Sequence, residues 1–105
     1  MSAVITGGSG FVASHLVPLL AKSGFNELRV IDRCVRRYLD HVSCEFYQRD
    51  LVTISDWPEL LDGIDAVFHL AWSSIPESST RDPLADVNAN LVPTIRLLGQ
   101  WVAQG

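Results

Sequence analysis

One glycine-rich run constrains this chain more than any other feature, because it combines a tight turn with the start of a helix. It reads Thr6-Gly7-Gly8-Ser9-Gly10-Phe11-Val12-Ala13 and stands between a short β-branched segment and a segment of helical apolar spacing. Glycines in such a turn let a phosphate reach the amides at a helix N-terminus, and a small third residue lets the helix pack on the strand. An isolated run of this kind is as often only a tight turn. In this context it predicts a phosphate-binding turn.

A carboxylate follows at the distance expected for a dinucleotide site. Asp32 ends the second predicted strand, about twenty residues beyond the glycines, where a carboxylate can accept both hydroxyls of an adenosine ribose. Its charge would repel a ribose 2′-phosphate, which favours NAD over NADP, although the neighbouring Arg33 is able to reach such a phosphate. A plain turn residue at the strand end is the competing interpretation of Asp32.

Apolar periodicity predicts strands that alternate with helices along the whole chain, the pattern of a parallel sheet covered by helices. The predicted strands are 3–6, 28–32, 45–48 and 66–70, and the predicted helices are 10–23, 55–62 and 83–104. We therefore expect an α/β fold with a Rossmann-type parallel sheet in a single domain, residues 1–105. The segment 72–82 has no period and predicts a loop.

The helices carry further expectations. The first should bury one apolar face, and Gly24 should end it. Ser55 should cap the second, and Pro18 and Pro93 should kink the helices that contain them. The face expected for the first helix consists of Phe11, Val12, Leu16, Leu19 and Leu20; in the last helix Leu84, Val87, Leu91, Ile95, Leu98 and Val102 recur three to four residues apart.

Composition excludes several classes of protein. The chain has 105 residues, eight Lys plus Arg and a net charge of −4, so it lacks the clustered basic face that nucleic-acid binding needs. Neither a membrane-length apolar run nor a leader peptide is evident, so a cytoplasmic protein is expected. Cys34 and Cys44 are too few and too widely spaced for a metal site, and we expect reduced, buried thiols.

Together these residues resemble the extended branch of the short-chain dehydrogenase/reductase superfamily, and within it the NAD-dependent nucleotide-sugar epimerases and dehydratases of the UDP-glucose 4-epimerase type. The resemblance spans the chain. Besides the glycine-rich run it rests on Asp50-Leu51, on the stretch 65–71 and on the stretch 90–94. The sequence departs from the family pattern at three positions, where Ala13, Trp72 and Pro93 replace smaller residues.

The resemblance implies an NAD cofactor and, in the full-length protein, a nucleotide-sugar substrate. It implies that Asp50-Leu51 contacts the adenine ring, that the end of the fourth strand lies against the cofactor and that Asn90 lies near the nicotinamide. The predicted binding residues are Gly7, Gly10, Phe11, Val12, Asp32, Arg33, Asp50, Leu51, Leu70, Ala71, Trp72 and Asn90. Asp50 has a plainer alternative as a turn cap. We expect His69 to be packed and hydrogen-bonded rather than a base, and Asn90 to have a partner in a loop or a ligand.

The catalytic residues that the resemblance implies are missing. The family uses a Tyr-x-x-x-Lys pair, but the single lysine is Lys22, and Tyr38 and Tyr47 are followed four positions later by valine and leucine. We therefore expect the N-terminal portion of an NAD-binding domain, without catalytic or metal-ligating residues, that pairs with a second copy through an open sheet edge. A nucleotide-sugar 4,6-dehydratase, a non-catalytic NAD(P) sensor and a fragment that binds no cofactor are the alternatives.

Overall fold

The computed structural model describes residues 1–8, 10–71 and 82–104, so Trp72 and nearly all of the predicted loop lie outside the described residues. The strands are β1 Ser2–Thr6, β2 Glu27–Asp32, β3 Glu45–Gln48 and β4 Ala66–His69. The helices are α1 Phe11–Lys22, α2 Trp57–Leu61, α3 Pro83–Asp86 and α4 Val92–Gln104, with a 3-10 turn at Arg37–His41 and a π turn at Val87–Leu91. We call residues 83–104 the C-terminal helical segment, because its parts follow one another without a break.

The described strands form a parallel four-stranded sheet in the order β3-β2-β1-β4, which confirms the predicted Rossmann-type fold. Ile5 of β1 pairs with Val30 on one side and with Phe68 on the other. The chain runs outward from β1 to β3 and then returns to the other side of β1. Strand order therefore reverses between β1 and β4, and ligands of such sheets bind at the carboxyl ends of the strands at this point.

Alternating side chains of the central strands belong to two apolar layers, one on each face of the sheet. On one face, α1 packs over Ile5 and Val30. On the other, α2 and α4 pack over Val4 and Ile31. The strand in the middle, β1, is at most 6% exposed at every residue, so it is held on both faces and both edges.

The face of α1 that enters the core only partly matches the predicted one. Ala13, Val17 and Leu20 are buried, whereas Phe11 is 80% exposed and Val12 and Leu19 are also exposed. The buried residues follow the same helical spacing, but two of them are small, which lets the helix lie close to the sheet. The predicted face is thus confirmed at Leu16 and Leu20 and wrong at Phe11, Val12 and Leu19, because the helix is rotated so that Ala13 and Val17 point to the sheet. The helix continues through Pro18 and ends before Gly24, which has a positive φ of 101°.

The C-terminal helical segment spans the predicted range, with an irregular turn ahead of Pro93. There the amide of Val92 donates to the carbonyl of Val87, five residues earlier. Proline removes a helical donor and crowds the carbonyl four residues before it, so a wider turn at this point accommodates the ring. The core contacts of the segment come from Asn90, Pro93 and Leu97. The predicted apolar stripe is instead exposed along its whole length.

Two smaller predictions also need correction. Asp56, not Ser55, is the N-cap residue of α2, which is shorter than predicted, because Pro58 favours a helix that begins at Trp57. Cys34 is exposed in the turn after β2 and Cys44 is half-buried, and neither forms a disulfide. Within the described ranges no helix is both long and apolar enough to cross a membrane, and no cluster of side chains suits a metal ion.

Candidate functional site

A cleft of about 240 Å³ opens at the carboxyl ends of the strands, where the strand order reverses. Segments from both ends of the described chain form its walls, which include the glycine turn, the ends of β2 and β4, and the C-terminal helical segment. The residues that line it are Gly7, Gly10, Ile31, Asp32, Arg33, Asp50, Leu51, Val52, Leu70, Ala71, Ala89, Asn90 and Pro93.

Two of the three glycines of the turn, Gly7 and Gly10, line the cleft, and they are required for different reasons. Gly7 has a φ of 77°, and a Cβ there would stand 2.7 Å from the backbone nitrogen of Ala71. Packing of the turn against the end of β4 thus explains this glycine, a reason that the sequence did not reveal. At Gly10 a Cβ would meet only the carbonyl of Gly7, at 3.4 Å, so this position faces open space in the cleft. The room expected for a phosphate is therefore present at Gly10.

The N-terminus of α1 borders this open space. Gly10 is its N-cap, and no described side chain caps the helix. The amides of Phe11 and Val12 belong to the first turn, where the helix dipole favours an anion. The side chains of both residues stay outside the cleft lining. The Phe11 ring instead forms an edge contact with the His15 ring, with 4.8 Å between the ring centroids. These two predicted residues can therefore contribute backbone groups to the site.

Two carboxylates line the cleft and also shape the turns that carry them. Asp32 Oδ1 accepts the amide of Cys34 at 2.9 Å, and Asp50 Oδ1 accepts the amide of Val52 at 2.9 Å. The turn roles considered as alternatives for both residues are thus real. They are compatible with ligand binding, because each residue also lines the cleft, beside Arg33 and Leu51 respectively.

Two further walls of the cleft are formed by the end of β4 and by the C-terminal helical segment. Leu70 and Ala71 face Asn90, which is only 3% exposed. Asn90 Nδ2 donates to Asp86 Oδ1 at 2.9 Å and to the Asp86 carbonyl at 3.3 Å. The predicted partner of Asn90 therefore exists, but it lies one turn earlier in the same segment rather than in a loop.

His69 is packed and hydrogen-bonded, as predicted. Its Nδ1 lies 2.6 Å from the hydroxyl of Thr6 and its Nε2 lies 2.8 Å from the hydroxyl of Thr94. Burial lowers the pKa of the imidazole below its usual range, because a buried cation loses hydration. The lowered pKa favours a neutral ring, which contacts the hydroxyls of Thr6 and Thr94 and does not line this cleft.

Four residues that line the cleft were missed by the sequence prediction. They are Ile31, Val52, Ala89 and Pro93. Ile31 and Val52 are next to the predicted residues Asp32 and Leu51. Ala89 and Pro93 lie beside Asn90 in the C-terminal helical segment, but spacing alone does not show which face of that segment is directed to the cleft. Of the predicted residues, Phe11 and Val12 border the cleft without lining it, and Trp72 lies outside the described residues.

Residues 3–105 match the model of the NAD dependent epimerase/dehydratase family. Among curated proteins, UDP-glucose 4-epimerase of Streptococcus mutans is 32% identical over 107 residues, covering 93% of this chain and 31% of the relative. UDP-glucuronic acid decarboxylase 5 of Arabidopsis thaliana is 28% identical over 106 residues, covering 94% of this chain and 30% of the relative. The chain thus spans about a third of the length of these relatives.

A solved structure gives the same likeness in three dimensions. The UDP-glucose 4-epimerase of Stenotrophomonas maltophila, crystallised with NAD and formylated UDP-arabinopyranose, superposes with a TM-score of 0.87 at 25% identity. The match covers 100% of this chain and 34% of that one.

Proposed function

The chain belongs to the NAD dependent epimerase/dehydratase family, and from this premise we propose that it forms the NAD-binding portion of a nucleotide-sugar epimerase of the UDP-glucose 4-epimerase type. One observation carries the proposal: an open glycine turn and the carboxylate of Asp32 meet in a single cleft at the point where the strand order reverses. When bound, NAD supplies reversible hydride transfer to and from a sugar hydroxyl.

Different residues of the cleft bind different parts of the dinucleotide. The amides that begin α1, above Gly10, receive the diphosphate. Asp32 accepts the ribose hydroxyls, which favours NAD over NADP, and Asp50 with Leu51 borders the adenine. Leu70, Ala71 and Asn90 flank the nicotinamide end.

Chemistry on the sugar requires groups that these residues do not include. We place the Ser or Thr and the Tyr-x-x-x-Lys pair in the remainder of a longer protein, since the chain spans about a third of its relatives. Because those relatives include decarboxylases of UDP-glucuronic acid as well as epimerases, the two reactions are separated by their products: a 4-epimer of the same mass or a sugar that has lost its carboxyl group. A 4,6-dehydratase would instead release water.

A second copy of the chain is the proposed protein partner. Among the described strands β4 stands at one edge of the sheet and β3 at the other, and unpaired strand edges are sites of association. Light scattering over a concentration series tests this, and a strict monomer at high concentration contradicts it. We place the protein in the cytoplasm, and the fluorescence of a tagged copy in its source cells tests that location.

Gly10 offers a direct test of NAD binding, because a methyl group there enters the cleft without straining the backbone. Gly10 has a φ of −76°, which alanine adopts freely. By isothermal titration we expect wild type to bind NAD and Gly10→Ala to bind at least about tenfold more weakly, because the added carbon holds the diphosphate away from the amides. Gly99→Ala, on the exposed part of α4 with nothing within 4 Å of its Cβ, is the matched control.

Three results contradict the proposal. Wild type that does not bind NAD favours a fragment without a cofactor, and equal affinities of wild type and Gly10→Ala place NAD elsewhere. An intact mass of 11.6 kDa for the gene product, with NAD bound, indicates a non-catalytic sensor rather than part of an enzyme. A product about three times heavier that interconverts UDP-sugars supports the epimerase.

A further inference from the structure

A line of hydrogen bonds runs from one wall of the cleft to the other behind its surface. The amide of Ala71 donates to the hydroxyl of Thr6 at 3.3 Å, and that hydroxyl contacts His69 Nδ1 at 2.6 Å. On the other side of the ring, Nε2 contacts the hydroxyl of Thr94 at 2.8 Å, which donates to the carbonyl of Asn90 at 2.7 Å. Both ends of the line, Ala71 and Asn90, line the cleft.

The direction of each bond follows from the donors available. A carbonyl only accepts, so the single proton of the Thr94 hydroxyl points to Asn90, and the oxygen can only accept from His69. Nε2 must therefore carry the ring proton. Nδ1 is then an acceptor, and the Thr6 hydroxyl donates to it while accepting from the Ala71 amide. Every donor is used once, and one tautomer of the neutral ring satisfies the whole line.

The line joins elements that the sheet alone does not connect. Thr6 ends β1 and His69 ends β4, and these two residues are directly paired in the sheet. Thr94 belongs to α4, which packs on the sheet through apolar contacts that include Leu97. Apolar contacts permit sliding along the helix axis, whereas a bond from a fixed ring to a hydroxyl defines the position of α4 along that axis.

We propose that His69, as the Nε2–H tautomer, is a positioning residue that sets the distance between the Ala71 and Asn90 walls of the cleft. Its relevance to cofactor affinity rests on the proposed NAD-binding function. The ring acts through Ala71 and Asn90 and does not itself touch the cofactor. Removing either hydroxyl partner should leave the fold intact but allow one wall to shift.

Thr94 allows a matched pair of substitutions, measured in the protein as its source produces it. Thr94→Val keeps the shape and loses the hydroxyl, and Thr94→Ser keeps the hydroxyl. Thr94→Val loses both hydrogen bonds of the hydroxyl, to His69 and to the Asn90 carbonyl. We expect it to bind NAD about threefold to tenfold more weakly, with Thr94→Ser within about twofold of wild type. In the ligand-free protein, nitrogen-15 NMR should show the ring proton on Nε2, and Thr94→Val should shift the amide resonance of Ala71, which lies on the far side of the ring.

The outcomes separate the two proposals. A ring proton on Nδ1 overturns the positioning role, as does an Ala71 amide that is unaffected by Thr94→Val. Equal NAD affinities of Thr94→Val and Thr94→Ser overturn it as well. If wild type does not bind NAD, the proposed function fails, while the tautomer and the Ala71 resonance still decide the positioning role. If Thr94→Val does not fold, the tautomer in wild type decides it.

Discussion

The phenol of Tyr38 contacts the glycine turn from behind the cleft. It lies in the 3-10 turn that follows β2, and its hydroxyl donates to the carbonyl of Gly8 at 2.5 Å. Burial, with smaller effects from Cys44 and Asp32, raises the pKa of the phenol to about 12. A side chain from a segment outside the predicted strands and helices therefore helps to hold the most constrained turn of the chain.

Replacing this phenol tests its contribution to stability. We expect Tyr38→Phe to lower the free energy of unfolding by about 1 kcal/mol, the net value of a typical hydrogen bond. Tyr47→Phe is the control, because the hydroxyl of Tyr47 reaches only the carboxylate of Glu45 at an exposed site, and we expect it to change stability by less than about 0.5 kcal/mol. Urea denaturation at neutral pH measures both, and equal effects would contradict the role assigned to Tyr38.

The raised pKa of Tyr38 also predicts a pH dependence. Between the ordinary tyrosine pKa of about 10 and the folded value of about 12, the unfolded chain loses the phenolic proton while the folded chain keeps it. The stability that Tyr38 contributes is therefore present below pH 10 and is lost as pH rises through 12. Wild type should lose more stability than Tyr38→Phe over this window in the same denaturation experiment, and parallel losses would contradict the prediction.

Replacing Asp32 tests whether the cleft prefers NAD over NADP. Asp32→Asn retains an oxygen for the amide of Cys34, so the turn should persist. Loss of the charge should weaken NAD binding about tenfold, the value of a hydrogen bond to a charged group, and should raise the affinity for NADP relative to NAD because repulsion of the 2′-phosphate is removed. Asp62→Asn, an exposed carboxylate outside the cleft lining, is the control for isothermal titration with both ligands. An unchanged NAD to NADP ratio in Asp32→Asn contradicts the assignment.

At the scale of elements, periodicity predicted where helices and strands lie better than which side they bury. The third strand has its predicted bounds, and the others differ at their ends by a residue or so. The buried face of α1 depends on how closely the helix approaches the sheet, so Ala13 and Val17 displaced larger residues. In the same way Ile31 and Val52 were predictable as sequence neighbours of Asp32 and Leu51, but Ala89 and Pro93 required knowledge of which face α4 and the preceding turn direct to the cleft.

Backbone conformation decides whether a glycine-to-alanine substitution raises or lowers the free energy of unfolding. A Cβ at either Gly99 or Gly63 meets nothing within 4 Å, but Gly99 lies in α4, whereas Gly63 follows α2 with a φ of 70°. Gly99→Ala should raise the free energy of unfolding by about 0.5–1 kcal/mol through the higher helix propensity of alanine. Gly63→Ala should lower it by about 1 kcal/mol, because a side chain is strained at positive φ. Thermal and urea denaturation measure both, and changes of the same sign would contradict this account.

At the scale of the molecule, the cleft depends on contacts between distant parts of the chain. The glycine turn lies near the N-terminus and Asn90 lies in the last described segment, yet both line the same cleft. A ligand that bridges them must stabilise the fold as a whole, because global unfolding separates its binding groups. Such a ligand adds about 2.7 kcal/mol when present at a hundredfold excess over its dissociation constant.

Hydrogen exchange with and without NAD tests whether the cleft acts as one unit. We expect NAD to slow exchange at the amides of Phe11 and Val12 and also in the segment around Asn90, since a bridging ligand opposes the opening of either wall. Gly10→Ala should weaken both effects at the same NAD concentration, while Gly99→Ala retains them. Protection confined to the glycine turn would show that NAD is bound by one wall alone, and the C-terminal helical segment would then contribute to the fold without taking part in the site.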